Sequence, residues 1–211
     1  MNRTALWCIL FRTGLALPFL LVGAATRATT VIPPDFAQLV NESDFVVRTV
    51  VKSVTASFQP TLSGGQKIIT RVELEVREVI MGTPSQPLVL EMLGGRVGNR
   101  VMRVEGAPEL KVGDEDILFV RDNGKSFYTL VAMMHGRYPI VKEAGTGREY
   151  IARSNRMPLR AASEVALPMT DSGAAKTRLP MASPVEALSP GDFARQIRAA
   201  VNPGYQRAPA K

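Results

Sequence analysis

A mainly β fold is what this sequence predicts: a small, partly open OB-like barrel of about five strands with an extra hairpin, with an open sandwich as the alternative. Three observations carry it. ITRVELEVREVIMG alternates Val72, Leu74 and Val76 with Arg71, Glu73, Glu75 and Arg77, the period of a strand with one face buried. SDFVVRTVVKSVTASF is dense in Val and Thr, which suit a pleated, half-buried surface. Turn-forming residues then recur between short apolar runs as far as Arg153.

Taken in chain order, PPDFAQLVNESD sets Phe36, Leu39 and Val40 at helical spacing behind Pro33 and Pro34, so a short helix precedes the strands. The Val/Thr-rich segment is the first strand and the alternating segment the second. After Val76 the alternation slips, because Arg77 and Glu78 are both polar and Val79 resumes the apolar set. One extra residue in the strand, a bulge, does this, and it leaves Val72, Leu74, Val76 and Val79 facing the core. Further strands are expected at Pro87 to Leu93, Asp116 to Val120 and Phe127 to Met134, the last two joined by the turn RDNGK, Arg121 to Lys125. Tyr138 to Lys142 and Glu149 to Arg153 form the extra hairpin around AGTG.

The ends of the chain differ from this body. Residues 1–28 have Arg3 and Arg12, an apolar run from Leu15 to Val22 and then small residues from Gly23 to Ala28. That is the pattern of a cleaved secretory signal peptide, with cleavage after Ala25 or Ala28, and the run is shorter than the ~20 residues that span a bilayer. An exported, periplasmic or extracellular chain without a membrane span is therefore expected. Cys8, the only cysteine, leaves with the signal, so the mature chain has neither a disulfide nor thiolate chemistry. Residues 29–153 form the barrel. Residues 154–188 are rich in Ala, Ser, Pro, Thr and Met without a sustained period and read as a flexible linker. In SPGDFARQIRAAV, Ser189 is an N-cap, Pro190 opens the helix, and Phe193, Ile197 and Val201 lie four apart on one stripe, predicting a C-terminal amphipathic helix over 189–202. Its stripe must dock, most cheaply on its own domain, or else on a membrane surface or a partner. Residues 203–211 are a tail.

The formal charge of +7 invites a nucleic-acid reading, and its distribution argues against it. Residues 29–150 carry 14 Lys/Arg against 15 Asp/Glu, a net −1, whereas 151–211 carry 9 against 4. A near-neutral body with a basic tail suits solubility or weak contact with an anionic surface more than a nucleic-acid groove. Aromatic residues are only 6% of the chain, too few for a base-stacking platform.

Chemistry is sparse. LGGRVGNRVM, Leu93 to Met102, has neither the Walker spacing nor the dinucleotide G-x-G-x-x-G between strand and helix, so its glycines are expected to serve a long loop between the third and fourth strands. As a ligand- or partner-binding loop it would present Arg96, Asn99, Arg100 and Arg103, with His135 as a further candidate. His135 is the only histidine, has no H-E-x-x-H context and sits beside Gly136, which points to a surface or turn position. Asp114, Glu115 and Asp116 lack the alternating spacing of a calcium loop and read as a solvated turn. No serine lies in a nucleophile elbow. No cofactor, metal or catalytic residue is assigned.

The order SDFVVRTVVKSV, ITRVELEVREVIMG, LEMLGG, PELKVGDEDILFV resembles the barrel pattern of netrin-type domains and tissue inhibitors of metalloproteinases. It also resembles an uncharacterised group of bacterial exported proteins with the same GG, PEL, VGDE and LFV punctuation. The resemblance covers Asp35 to Tyr150 and implies an OB-like barrel, with a secreted protease or an envelope protein as partner. Those inhibitors present a disulfide-held N-terminal cysteine to zinc, and the mature chain here has no cysteine, so that route is not implied. Two functions follow: an exported non-catalytic binding module, or a small periplasmic hydrolase whose carboxylates converge only in the fold. A buried acid cluster in a cleft would favour the hydrolase, scattered acids the binding module.

Overall fold

A computed structural model describes residues 32–169 and 186–205. The expected signal peptide, the middle of the expected linker and the last residues of the tail lie outside them. Among the described residues the fold is mainly β. Six antiparallel strands form one sheet that does not close, and a separate two-stranded hairpin and few helices accompany it. No helix among these residues is long and apolar enough to cross a membrane.

Helix α1, Phe36–Asn41, starts at a capping box: Asp35 accepts from the Gln38 amide at 2.8 Å while the Gln38 side chain accepts from the Asp35 amide. Strands β1, Phe45–Pro60, and β2, Gln66–Gly82, form a long antiparallel pair, and β3, Leu88–Leu93, adds to the far side of β2. The hairpin β4, Gly95–Val97, and β5, Arg100–Met102, forms a separate two-stranded sheet. Strands β6, Glu115–Val120, β7, Arg137–Lys142, and β8, Glu149–Ile151, complete the order β3-β2-β1-β6-β7-β8.

The bulge is where the alternation slips, since Thr49 faces Val76 and Arg48 faces Glu78, leaving Arg77 extra. Two further shifts, at Ile80 of β2 and Lys52 of β1, were not foreseen. Val79 is corrected: it is 43% exposed, and Ile80 is the residue that enters the core. Alternation reveals which side chains share a face but not which face is covered, and along β2 the cover changes sides. Val72 and Leu74 pack with Val47, Val51, Leu88, Leu90 and Leu110, whereas Ile80 packs with Val46, Phe119 and the helices. Leu74→Ala is accordingly expected to cost about 2 to 5 kcal/mol and Glu73→Ala under about 0.5, read from urea denaturation midpoints. Equal effects would mean that the faces are misassigned.

The expected strand Phe127 to Met134 is replaced by a turn. The chain returns beside β6 through Arg121 N to Thr129 O and Val131 N to Phe119 O. It then bends at Ala132 and Met133, with φ of +48° and +58°, into a 3-10 turn, Met133–Gly136. Gly136 lies against this bend so closely that a Cβ there would meet the Val131 carbonyl oxygen at 2.6 Å.

The linker expectation fails for 154–169. Leu159 and Val165 are fully buried, Leu159 N bonds Ile151 O, and Leu188 links the two segments through Ile151 N to Leu188 O and Leu188 N to Leu159 O. Isolated anchors without a period hold this segment, which is why composition misread it. Helix α2, Pro190–Ala199, begins at Ser189 as expected and docks on its own fold. Its buried stripe is Phe193, Ala194 and Ile197; Val201 lies beyond the helix and is 40% exposed.

Candidate functional site

The glycine-rich stretch is not a loop but the β4–β5 hairpin, with Gly98 and Asn99 at its tip and Gly98 at φ +59°. Its base is tied to β2: Gly94 N donates to Ile68 O at 2.8 Å and Thr70 Oγ1 donates to Gly94 O at 2.6 Å. Gly95 lies so near Thr70, Ala56 and Ile68 that only glycine fits there, at a φ of +133°. The glycines thus lay a short hairpin flat on the β1–β2 pair.

A groove of about 620 Å³ opens between them, floored by Val54, Ala56 and Thr70 and walled on one side by the hairpin with Arg96, Val101 and Arg103. Residues 105–111 make the other wall. Arg96, Arg100 and Arg103 are exposed, and among the described residues none of them forms an ion pair. Arg100 lies over the Phe58 ring, 5.7 Å from its centroid. Asn99 is exposed at the hairpin tip. Four of the five expected residues therefore come together.

His135 does not join them. It sits in the 3-10 turn, one of the two positions expected, but is only 3% exposed, and burial with the nearby charge of Arg153 lowers its pKa to about 4. The folded state thus prefers the neutral ring, so the stability this confers is present above about 6.5 and is lost as pH falls toward 4. His135→Asn is expected to flatten that part of the stability–pH curve, whose slope from one such group approaches about 1.4 kcal/mol per pH unit. An unchanged slope in urea denaturation from pH 7 to 4 would contradict it.

The acidic run also differs from the solvated turn expected, because Arg48 and Arg137 engage its carboxylates. Glu115 pairs with Arg48 at 2.6 Å, while Arg137 binds Asp114 through Nη2 at 2.6 Å and Asp116 through Nε at 2.8 Å. Arg137 Nη1 also donates to the Glu109 carbonyl. Asp116 is fully buried, and burial raises its carboxyl pKa against the lowering influence of Arg137. Asp114 and Arg137 border a cleft of about 300 Å³ with Ser154, Asn155 and Arg156, which shares Ala107 to Glu109 with the groove, whereas Asp116 does not line it. Among the described residues no cluster of three or more metal-binding side chains occurs.

Sequence reasoning missed Arg137. The available signal was an acidic pair opening the otherwise apolar strand EDILFV and a single base opening RYPIV, charges in strands that a core would otherwise fill. No protein-family model matches this chain, and no curated protein matches it.

Proposed function

We propose that this protein is an exported, non-catalytic binding module that holds a secreted or envelope protein on the β4–β5 hairpin and the groove beneath it. The carrying observation is the set Arg96, Arg100 and Arg103: exposed, on or next to one short hairpin and without a carboxylate partner among the described residues, with Arg96 and Arg103 lining a concave surface and Arg100 over the Phe58 ring beside it. Charges that hold no part of the fold are available to an external anion. The exported location rests on the signal-like N-terminus.

Carboxylate-based hydrolysis draws less support. Asp114 borders the cleft, but Asp116 is fully buried and does not line it, and both carboxylates are ion-paired to Arg137, so no pair of acids converges on a substrate space. The test is capture from envelope extract on the immobilised mature chain beside the variant R96A/R100A/R103A. A protein retained by the parent and lost by the variant is the expected result. Identical capture by both would remove the hairpin from the function.

A further inference from the structure

Strand β1 has two edges, and only one is paired along its length. On the β6 side the ladder ends at Val50 opposite Glu115. Val51 extends it by one residue, donating to Asp114 O and accepting from Gly113 N, each at 2.9 Å. From Lys52 to Pro60 no described segment pairs with that side of β1, although β2 continues along the other. An extended strand edge offers a row of backbone donors and acceptors to any chain that can lie beside it.

The surroundings select which chain. Residues 53–70 and 94–104, which form this end of the β1–β2 pair and the hairpin resting on it, contain Lys67, Arg96, Arg100 and Arg103 and no Asp or Glu. Arg96 and Arg103 share the groove with Val54 and Ala56 of β1, and Arg100 sits on Phe58. Val54 and Phe58 are themselves 36% and 38% exposed, leaving apolar surface between the charges. Glu105 and Glu109 lie only on the far wall.

We propose, resting on the binding-module reading, that the β1 edge from Ser53 to Pro60 takes an extended acidic peptide as an added strand. Its backbone bonds to β1 and its carboxylates, on alternate residues, meet Arg96, Arg100 and Arg103. Alternation in the peptide matches the pleat, so apolar residues lie on one side and acids on the other. A second copy of the chain is a poor occupant, since it would set the same cations against themselves.

The experiment uses the mature full chain and a fluorescent peptide of alternating valine and glutamate, about nine residues to span the edge. Fluorescence anisotropy should show saturable binding, at least about tenfold tighter than for a valine–lysine peptide and weakened about tenfold by R96A/R100A/R103A. Two further peptides carry N-methyl groups on one or the other alternate set of amides. Strand addition uses one set only, so one methylated peptide should fail and the other bind. Equal binding by both would show electrostatic attraction without strand addition and overturn the proposal, as would arginine-independent binding or a stable dimer that excludes the peptide. If no acidic peptide binds while arginine-dependent capture from envelope extract persists, this inference falls and the binding-module reading stands. If both fail, both fall.

Discussion

Replacing Phe193 by alanine is expected to cost about 3 to 5 kcal/mol and to broaden or abolish cooperative unfolding. The ring is fully buried and stands at the centre of an aromatic cluster, 5.1 Å from Tyr138, 5.9 Å from Phe36 and 6.1 Å from Phe119 between centroids. It therefore joins α1, β6, β7 and α2, elements far apart in sequence. A helix as short as α2 is marginal alone, so its capping by Ser189 selects where it begins but cannot hold it in place. What holds it is Phe193 with Ile197, aided at the edge by Asn202 N to Asn41 Oδ1 at 2.7 Å and Arg198 to Glu78 at 2.5 Å. Those edge contacts are exposed and worth little by comparison. Val201→Ala, a truncation of the expected stripe's third member, should change stability by under about 0.5 kcal/mol because the side chain is 40% exposed. Urea denaturation of the two variants decides the matter, and equal losses would show that α2 is not anchored through Phe193.

Elements whose residues repeat with a period were legible in the sequence, and elements held by single contacts were not. β2 declared itself by alternation, β1 by its density of Val and Thr, the β7–β8 hairpin by its turn residues, and α2 by its cap and by Phe193 and Ile197. Residues 154–169 carry no period because two side chains, Leu159 and Val165, do the anchoring. The segment after Asp122 to Lys125 begins to return as a hairpin, yet left-handed Ala132 and Met133 end it, a conformation neither residue type advertises. Of the candidate site, the clustering of Arg96, Asn99, Arg100 and Arg103 was visible because they lie within one short stretch. The pairing of Arg137 with Asp116 was not, for it is made across two neighbouring strands, and in the sequence Asp116 is only the last of an acidic run and Arg137 a lone base.

That pairing makes Arg137→Ala the second large effect, about 3 to 5 kcal/mol at pH 7. Removing the guanidinium strips Asp116 of its one ion-pair partner among the described residues while leaving it at 0% exposure, and frees the Glu109 carbonyl as well. Asp114 suffers less, since its side chain is 23% exposed and water can replace Arg137. The sign of the pH dependence follows from Asp116. Burial already raises its carboxyl pKa above the ordinary value, so the folded state holds the proton more tightly than the unfolded one. The stability from that preference is fully present below the ordinary carboxylate range and is lost as pH rises through the folded value. In the variant the two influences that Arg137 exerts downward, Coulombic attraction and hydrogen bonding, are gone, so the folded value rises further. Protonation then relieves the buried charge, and the gap between variant and parent should shrink to under about half as pH falls from 7 toward 4. The double variant D116N/R137A tests the cause directly: it removes the buried charge together with its partner and should recover about 1 to 3 kcal/mol relative to R137A alone at pH 7. If the double variant is no more stable than the single one, and the loss in R137A does not change with pH, Arg137 acts through packing or through its bond to Glu109 and not by neutralising Asp116.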